Sequence, residues 1–327
     1  MKKLISNFKP MRLLSFFALI ATITITSCSD DENTVLLDAN FDYAFHNGQT
    51  VPSAPYTGLH SGDLSANLAL EELEDGGTRI TVTLMNTMDG ETYRIHAHDA
   101  ADASTTPNGT PYSESPNVDI LAQNVTGNGG TVSVSQDTDM SFDDLTSSYE
   151  GFFVVHDPLQ PINTADITTY LVVGSFARMQ SNTTYESSDF SYAFNTGQVA
   201  SAFAYAGSHS SDLGARINVT ELADNKSRIT VMIDNSMEGQ TYHTHAHDMA
   251  DPTTTPNGTP YNESPNAMVF ASPIVGNGGT AGKSFVSDMS YTEITTNYNG
   301  FFVIHDPLQG ITTVDPTTYV ILGVFAR

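Results

Sequence analysis

The chain has 327 residues, with 37 Asp and Glu against 12 Lys and Arg and a formal net charge of −25. A surface of that sign attracts cations and repels phosphate, which excludes nucleic acid as a partner, since phosphate neutralisation needs clustered Lys and Arg. The one cysteine, Cys28, excludes an intramolecular disulfide, and the sparse charge, absence of Trp and abundance of Thr, Ser, Asn and Gly suit an extracellular β-rich protein.

At the amino end, Lys2, Lys3, Lys9 and Arg12 precede an apolar run from about Leu13 to Ile25, closed by Ile25-Thr26-Ser27-Cys28. A charged region, a short apolar region and a small-residue cleavage point predict a secretory signal over 1–27, the run being too short to span a bilayer comfortably. The closing ITSC resembles a bacterial lipobox, which implies that Cys28 becomes the lipidated first residue of the mature chain; an ordinary signal peptide with a chance cysteine is the alternative. Residues 28–37 then form a tether whose Ser29-Asp30-Asp31-Glu32 resembles that of Bacteroidota surface lipoproteins. That resemblance implies a lipid anchor at the outer membrane or cell surface.

The rest of the chain is a duplication. Tyr93-Arg-Ile-His-Ala-His-Asp99 returns as Tyr242-His-Thr-His-Ala-His-Asp248, 149 residues on, and the same offset aligns Phe41 with Phe190, His60 with His209, His156 with His305 and Arg178 with Arg327. No gap is needed between 38–178 and 187–327, so two complete domains are expected, joined by a polar linker at 179–186; the period is far longer than that of solenoid repeats. Within a copy, Arg79–Met85 and Arg228–Asp234 alternate apolar with polar, the period of a half-buried strand. Asp75-Gly-Gly77 and Gly127-Asn-Gly-Gly130 are turn chemistry, and Gly151–Val155 and Tyr170–Phe176 read as further strands. Short strands joined by glycine-rich turns predict an all-β fold, two tandem Greek-key β-sandwiches or flattened barrels, without helix beyond the signal segment. The strands drift between copies, whereas the longest identical blocks, Thr105–Tyr112 with Thr254–Tyr261 and His156–Gln160 with His305–Gln309, are loop-like. Packing alone would favour the opposite distribution.

On a strand, residues i and i+2 share a face, so His96 and His98 project together, as do His245 and His247. His156 and His305 end another strand; if it pairs beside the first, three imidazoles meet at a point, a recurrent core of copper, zinc, iron or nickel sites. His60 and His209 are the fourth pair present in both copies and candidate fourth ligands. His46 aligns with Asn195 and His243 with Arg94, and both read as surface residues. Asp99 and Asp157 are expected either to orient the imidazoles or to cap turns. Against the metal reading stands the plainer one, polar histidines on a wet strand face.

YRIHAHD, GFFVVHDPL and the closing YLVVGSFAR resemble, in order and spacing, elements of the Cu,Zn superoxide dismutase domain, over about 100 residues of each copy. The resemblance implies copper at His96, His98 and His156 and at His245, His247 and His305. The run Phe194-Asn-Thr-Gly-Gln-Val199, followed by HAHD and PNG, is similar to the chordin-type (CHRD) domain, a related-looking sandwich. Departures limit what is implied. No histidine lies between His98 and His156 or between His247 and His305, so a dismutase-type zinc subsite is lacking, although zinc remains an alternative occupant of the triads. The active-site arginine of the dismutases is replaced by Tyr170 and Tyr319. The expectation is an envelope lipoprotein binding a metal, copper before zinc, in each repeat, with superoxide dismutation or a metal-free adhesion role as alternatives.

Overall fold

The computed structural model describes residues 36–180 and 184–327; the signal segment and Cys28 lie outside them. The first repeat forms β1 (Asp38–Tyr43), β2 (Ser65–Glu72), β3 (Thr78–Met85), β4 (Thr92–Ala100), β5 (Tyr112–Pro116), β6 (Ala122–Thr126), β7 (Val132–Thr138), β8 (Gly151–His156) and β9 (Tyr170–Ser175). The second repeats this 149 residues later with β10 (Ser187–Tyr192), β11 (Gly214–Glu221), β12 (Ser227–Asp234), β13 (Thr241–Met249), β14 (Tyr261–Pro265), β15 (Ala271–Val275), β16 (Ala281–Ser287), β17 (Gly300–His305) and β18 (Tyr319–Val324). The protein is all-β, and the described helical pieces are turns of three to five residues.

Each repeat is a sandwich of two antiparallel sheets. In the first, β1-β2-β3-β7 faces a sheet ordered β5-β4-β8-β9, in which β5 and β6 share one edge of β4; β10-β11-β12-β16 and β14-β13-β17-β18, with β15 on β13, repeat the pattern. The flattened-barrel form is corrected, because side chains rather than backbone ladders bridge the sheet edges. Between β1 and β9, Tyr43 Oη donates to Ser175 O at 2.8 Å and Gln180 Nε2 to Val173 O at 3.0 Å. Between β6 and β7, Gln136 Oε1 accepts from Ala122 N at 2.9 Å.

Alternation makes the β3 sheet one-sided: Ile80, Val82 and Leu84 are fully buried, while Arg79 is exposed and Thr81 and Thr83 half-exposed. The β4-β8-β9 sheet is buried on both sides, so β8 reads as an unbroken apolar run. Its inward side chains, Ala97, Phe153 and Val155, join Leu68, Val82 and Ile95 in the main core. Outward, Val154, Tyr170 and Val173 form a second cluster with Tyr112 and Ile167 beneath the 101–111 and 157–169 loops. Burial of such side chains contributes roughly 1.5–3 kcal/mol each. Main-core and second clusters recur in the second repeat.

Two features set the loops that cover the outer face. Asn108 and Gly109 both take positive φ, 57° and 68°, and Asn257 and Gly258 repeat this at 58° and 67°, a conformation that favours an Asn-Gly pair. So oriented, Asn108 Nδ2 donates to Ala165 O in the opposite loop, and Asn257 to Val314 O. The identical loop blocks are thus the parts that close over the second face of the sheet.

His46 is not a surface residue: it is fully buried, with Nε2 2.9 Å from Ala54 O. Asn195 does the same work in the second repeat, donating to Phe203 O at 2.8 Å and Tyr319 O at 3.0 Å. Burial pushes the His46 imidazole down to about 4. The unfolded chain, titrating near 6.5, takes up that proton first, so stability is lost as pH falls from about 6.5 towards 4. His46→Asn is expected to keep the stability near neutral pH and to remove about 2 kcal/mol of the loss between about pH 7 and pH 5. Denaturant titrations at the two pH values check this, and an unchanged acid sensitivity would refute it.

Candidate metal centres

The centre in the first repeat is built from two neighbouring strands. β4 and β8 pair with His96 opposite Val154 and His98 opposite Phe152, which sets His96, His98, Val154 and His156 on one face. A bulge follows: Val155 pairs with Val172 but His156 pairs with Tyr170, so Leu171 is the extra residue. It turns the Tyr170 ring onto the His156 ring, with centroids 4.5 Å apart. The three imidazoles converge, His96 standing 5.1 Å from His156 and 5.8 Å from His98 between ring centroids. One nitrogen of each lies within 4.8 Å of the others. His245, His247 and His305 form the same triad, with centroids 4.9 Å apart for His245–His305 and 5.6 Å for His245–His247. The plain reading of wet, separate histidines is not met, since His98 and His247 are fully buried and His156 and His305 are 2% exposed.

The hydrogen-bond inventory carries the chemistry. His98 Nδ1 donates to Ser113 O at 2.7 Å and His247 Nδ1 to Asn262 O at 2.7 Å, which fixes the tautomer and leaves each Nε2 with its lone pair free. Among the described residues those Nε2 atoms are buried without a partner, as are His96 Nδ1, both nitrogens of His156, His245 Nδ1 and His305 Nε2. Buried polar atoms are almost always satisfied. Unpartnered imidazole nitrogens this close together can hold a metal ion. Burial, then the neighbouring rings, hold His96 down to about 4 and His156 to about 3, with His245 at about 4 and His305 at about 3. The rings are therefore neutral near physiological pH, the form that ligates.

Other expected residues stand elsewhere. His60 and His209 are not brought to the triads. His60 Nε2 bonds Tyr93 Oη at 2.7 Å and its Nδ1 bonds Ser61 O at 2.9 Å, and His209 repeats this with Tyr242 at 2.9 Å and Ser210 at 2.9 Å, so neither ring has a nitrogen to give. Asp157 is a turn cap, accepting from Leu159 N at 2.9 Å, Tyr56 Oη at 2.7 Å and Gln160 Nε2 at 2.7 Å. Asp99 accepts from Asn117 and Tyr149 instead of from an imidazole.

Sequence reasoning missed three neighbours. The Tyr112 ring lies 5.4 Å from His98, and neither its buried hydroxyl nor Glu114 Oε1 has a hydrogen-bond partner among the described residues; Tyr261 and Glu263 repeat this. Arg94, exposed and two residues before His96, lines with His156, Asp157 and Gln160 a pocket of about 240 Å³. Its charge helps to lower His96 and His156, and His243 acts likewise on His245 and His305. Arg94 could have been found by face, since it lies two residues before His96 on the same strand. No protein-family model and no curated protein sequence matches this chain.

An unsatisfied buried polar atom costs about 1–3 kcal/mol. The double variant His156→Leu with His305→Leu, free of metal, is therefore expected to be about 1–2 kcal/mol more stable than the unaltered metal-free chain. Denaturant unfolding with a chelator measures it, and a clear loss of stability would mean that those nitrogens have partners.

Proposed function

We propose that the protein is a lipid-anchored envelope protein that binds one copper ion in each β-sandwich repeat, through His96, His98 and His156 and through His245, His247 and His305. The observation that carries this reading is the set of buried, unpartnered imidazole nitrogens in each triad. A donor set of nitrogen alone favours copper over zinc and the earlier divalent metals by the Irving–Williams order. The resemblance of the HxH and VVH elements to superoxide dismutase and chordin-type domains points the same way. Imidazole ligation suits a metal that is held, stored or slowly cycled between redox states. Anchorage rests on the charged, apolar and ITSC elements of 1–28.

One preparation tests both halves. The chain is expected in the membrane fraction and, once extracted and loaded, to hold two copper ions; His96, His98 and His156 changed together to Ala leave one. The Cys28→Ser chain is expected to leave the membrane and still hold two. No bound metal after loading refutes the centres, and membrane retention without Cys28 refutes the anchor.

Superoxide dismutation is a second reading, favoured by Arg94 at the pocket beside His156. It supplies a cation near the metal position, which an anionic substrate needs and an acidic chain otherwise lacks. Dismutation by the copper-loaded chain is expected to fall about tenfold on Arg94→Glu with copper content unchanged, the order of change that local steering contributes. A rate no different from that of simple copper–imidazole complexes would reject it.

A further inference from the structure

The two repeats meet through unlike surfaces. The second presents the outer face of its β12 sheet to one end of the first. Arg228, 3% exposed, places its guanidinium 5.2 Å from the Phe45 ring centroid and 5.3 Å from that of Tyr56. Its Nη1 donates to Tyr56 O at 3.0 Å, and Ser284 Oγ donates to Gly58 O at 2.7 Å. The guanidinium is thus held by aromatic faces and a carbonyl. Burial explains why β12 lacks the half-exposed pattern of its counterpart β3: Arg228 and Thr230 are buried where Arg79 is exposed and Thr81 half-exposed.

A contact between unlike faces of two similar units leaves one face of each kind unused. Here both unused faces carry the chemistry of the used ones. The donors Arg228 and Ser284 correspond to Arg79 and Ser135 on the open sheet of the first repeat, and the acceptors Phe45, Tyr56 and Gly58 to Phe194, Tyr205 and Gly207 at the open end of the second. That open cradle is already formed. Phe194 and Tyr205 stand 5.1 Å apart at 79°, against 5.0 Å and 82° for Phe45 and Tyr56. Phe194 and Tyr205 are partly exposed, whereas Phe45 and Tyr56 are buried. The packing partners change together: Leu59 lies against Gly282, and their counterparts are Ser208 and Ser133, a large–small pair becoming small–small.

We propose that the chain associates head to tail with further copies of itself, Arg79 of one copy entering the Phe194–Tyr205 cradle of the next. Arg79 donates there to Tyr205 O, and Ser135 Oγ to Gly207 O. Asp137, which stands where the second repeat has Val286, acts as a latch. It holds Arg79 at the surface in a two-pronged pair of 2.7 and 2.8 Å, with side chains 47% and 51% exposed, and such a pair is cheap to open. Glu74, exposed where Ala223 packs against Gly48, and the net charge of −25 also oppose contact, so association strengthens as salt screens them. This inference is independent of the metal centres.

The test uses the full chain with Cys28→Ser, so that introduced cysteines stand alone. Ser133→Cys with Ser208→Cys is expected to give a ladder of disulfide-linked multimers under mild oxidation, while either single variant stops at dimer. Adding Arg79→Glu, a change at an exposed position, is expected to abolish the ladder. Asp137→Val is expected to tighten association in sedimentation up to about fivefold, the ceiling for an exposed ion pair. Absence of a ladder, or a ladder that survives Arg79→Glu, overturns the proposal.

Discussion

Everything distinctive in each repeat depends on covering both faces of the β4-β8-β9 sheet and its counterpart. A sandwich needs only the inner face dry, and the outer face of the β3 sheet remains partly open in the first repeat. On the β4-β8-β9 sheet, the loops 101–111 and 157–169 close over the outer face, where Val154, Tyr170, His98 and His156 are buried and His96 is half-buried. Desolvation keeps the rings neutral, and the apolar surroundings deny their nitrogens partners. The same residues on an open strand face would be hydrated, protonated in mild acid and unremarkable.

That constraint also explains why the two copies agree most closely outside their strands. A core position accepts Val, Ile or Leu of similar volume, so Leu171-Val172-Val173 can become Val320-Ile321-Leu322 without loss of burial. The loop over the triad has no such latitude. The Asn108-Gly109 pair holds two consecutive positive φ angles, Thr106 Oγ1 bonds Thr110 O, and Asp157 gathers three donors to turn the chain away from His156.

The copies differ where their surroundings differ. Arg94 lines a pocket beside one triad, while His243 takes its place near the other. Arg79 is held at the surface by Asp137, while Arg228, with Val286 in place of that carboxylate, is buried against the neighbouring repeat. Duplication produced two equivalent sets of side chains, and neighbours gave the members of each pair different environments.

Much was legible in the chain itself. Period-two alternation marked β3 and β12, Asp75-Gly-Gly77 marked the turn into β3, and the 149-residue offset determined that whatever one half folds into, the other does too. The HxH spacing determined that two imidazoles share a face, because strand geometry leaves no choice. Other features depended on contacts between segments far apart in sequence. Nothing local reveals that the His60 and His209 nitrogens are spent on Tyr93 and Tyr242 and on their own backbone neighbours, that His46 is buried where Asn195 can replace it, or that a bulge at Leu171 sets Tyr170 against His156. The sequence by itself determined the strand faces, which follow from backbone periodicity, and the repeat, which follows from the 149-residue offset. Only the tertiary structure decided which histidines meet and stay unpartnered, because a nitrogen's partners are set by whatever the fold brings within about 3 Å of it.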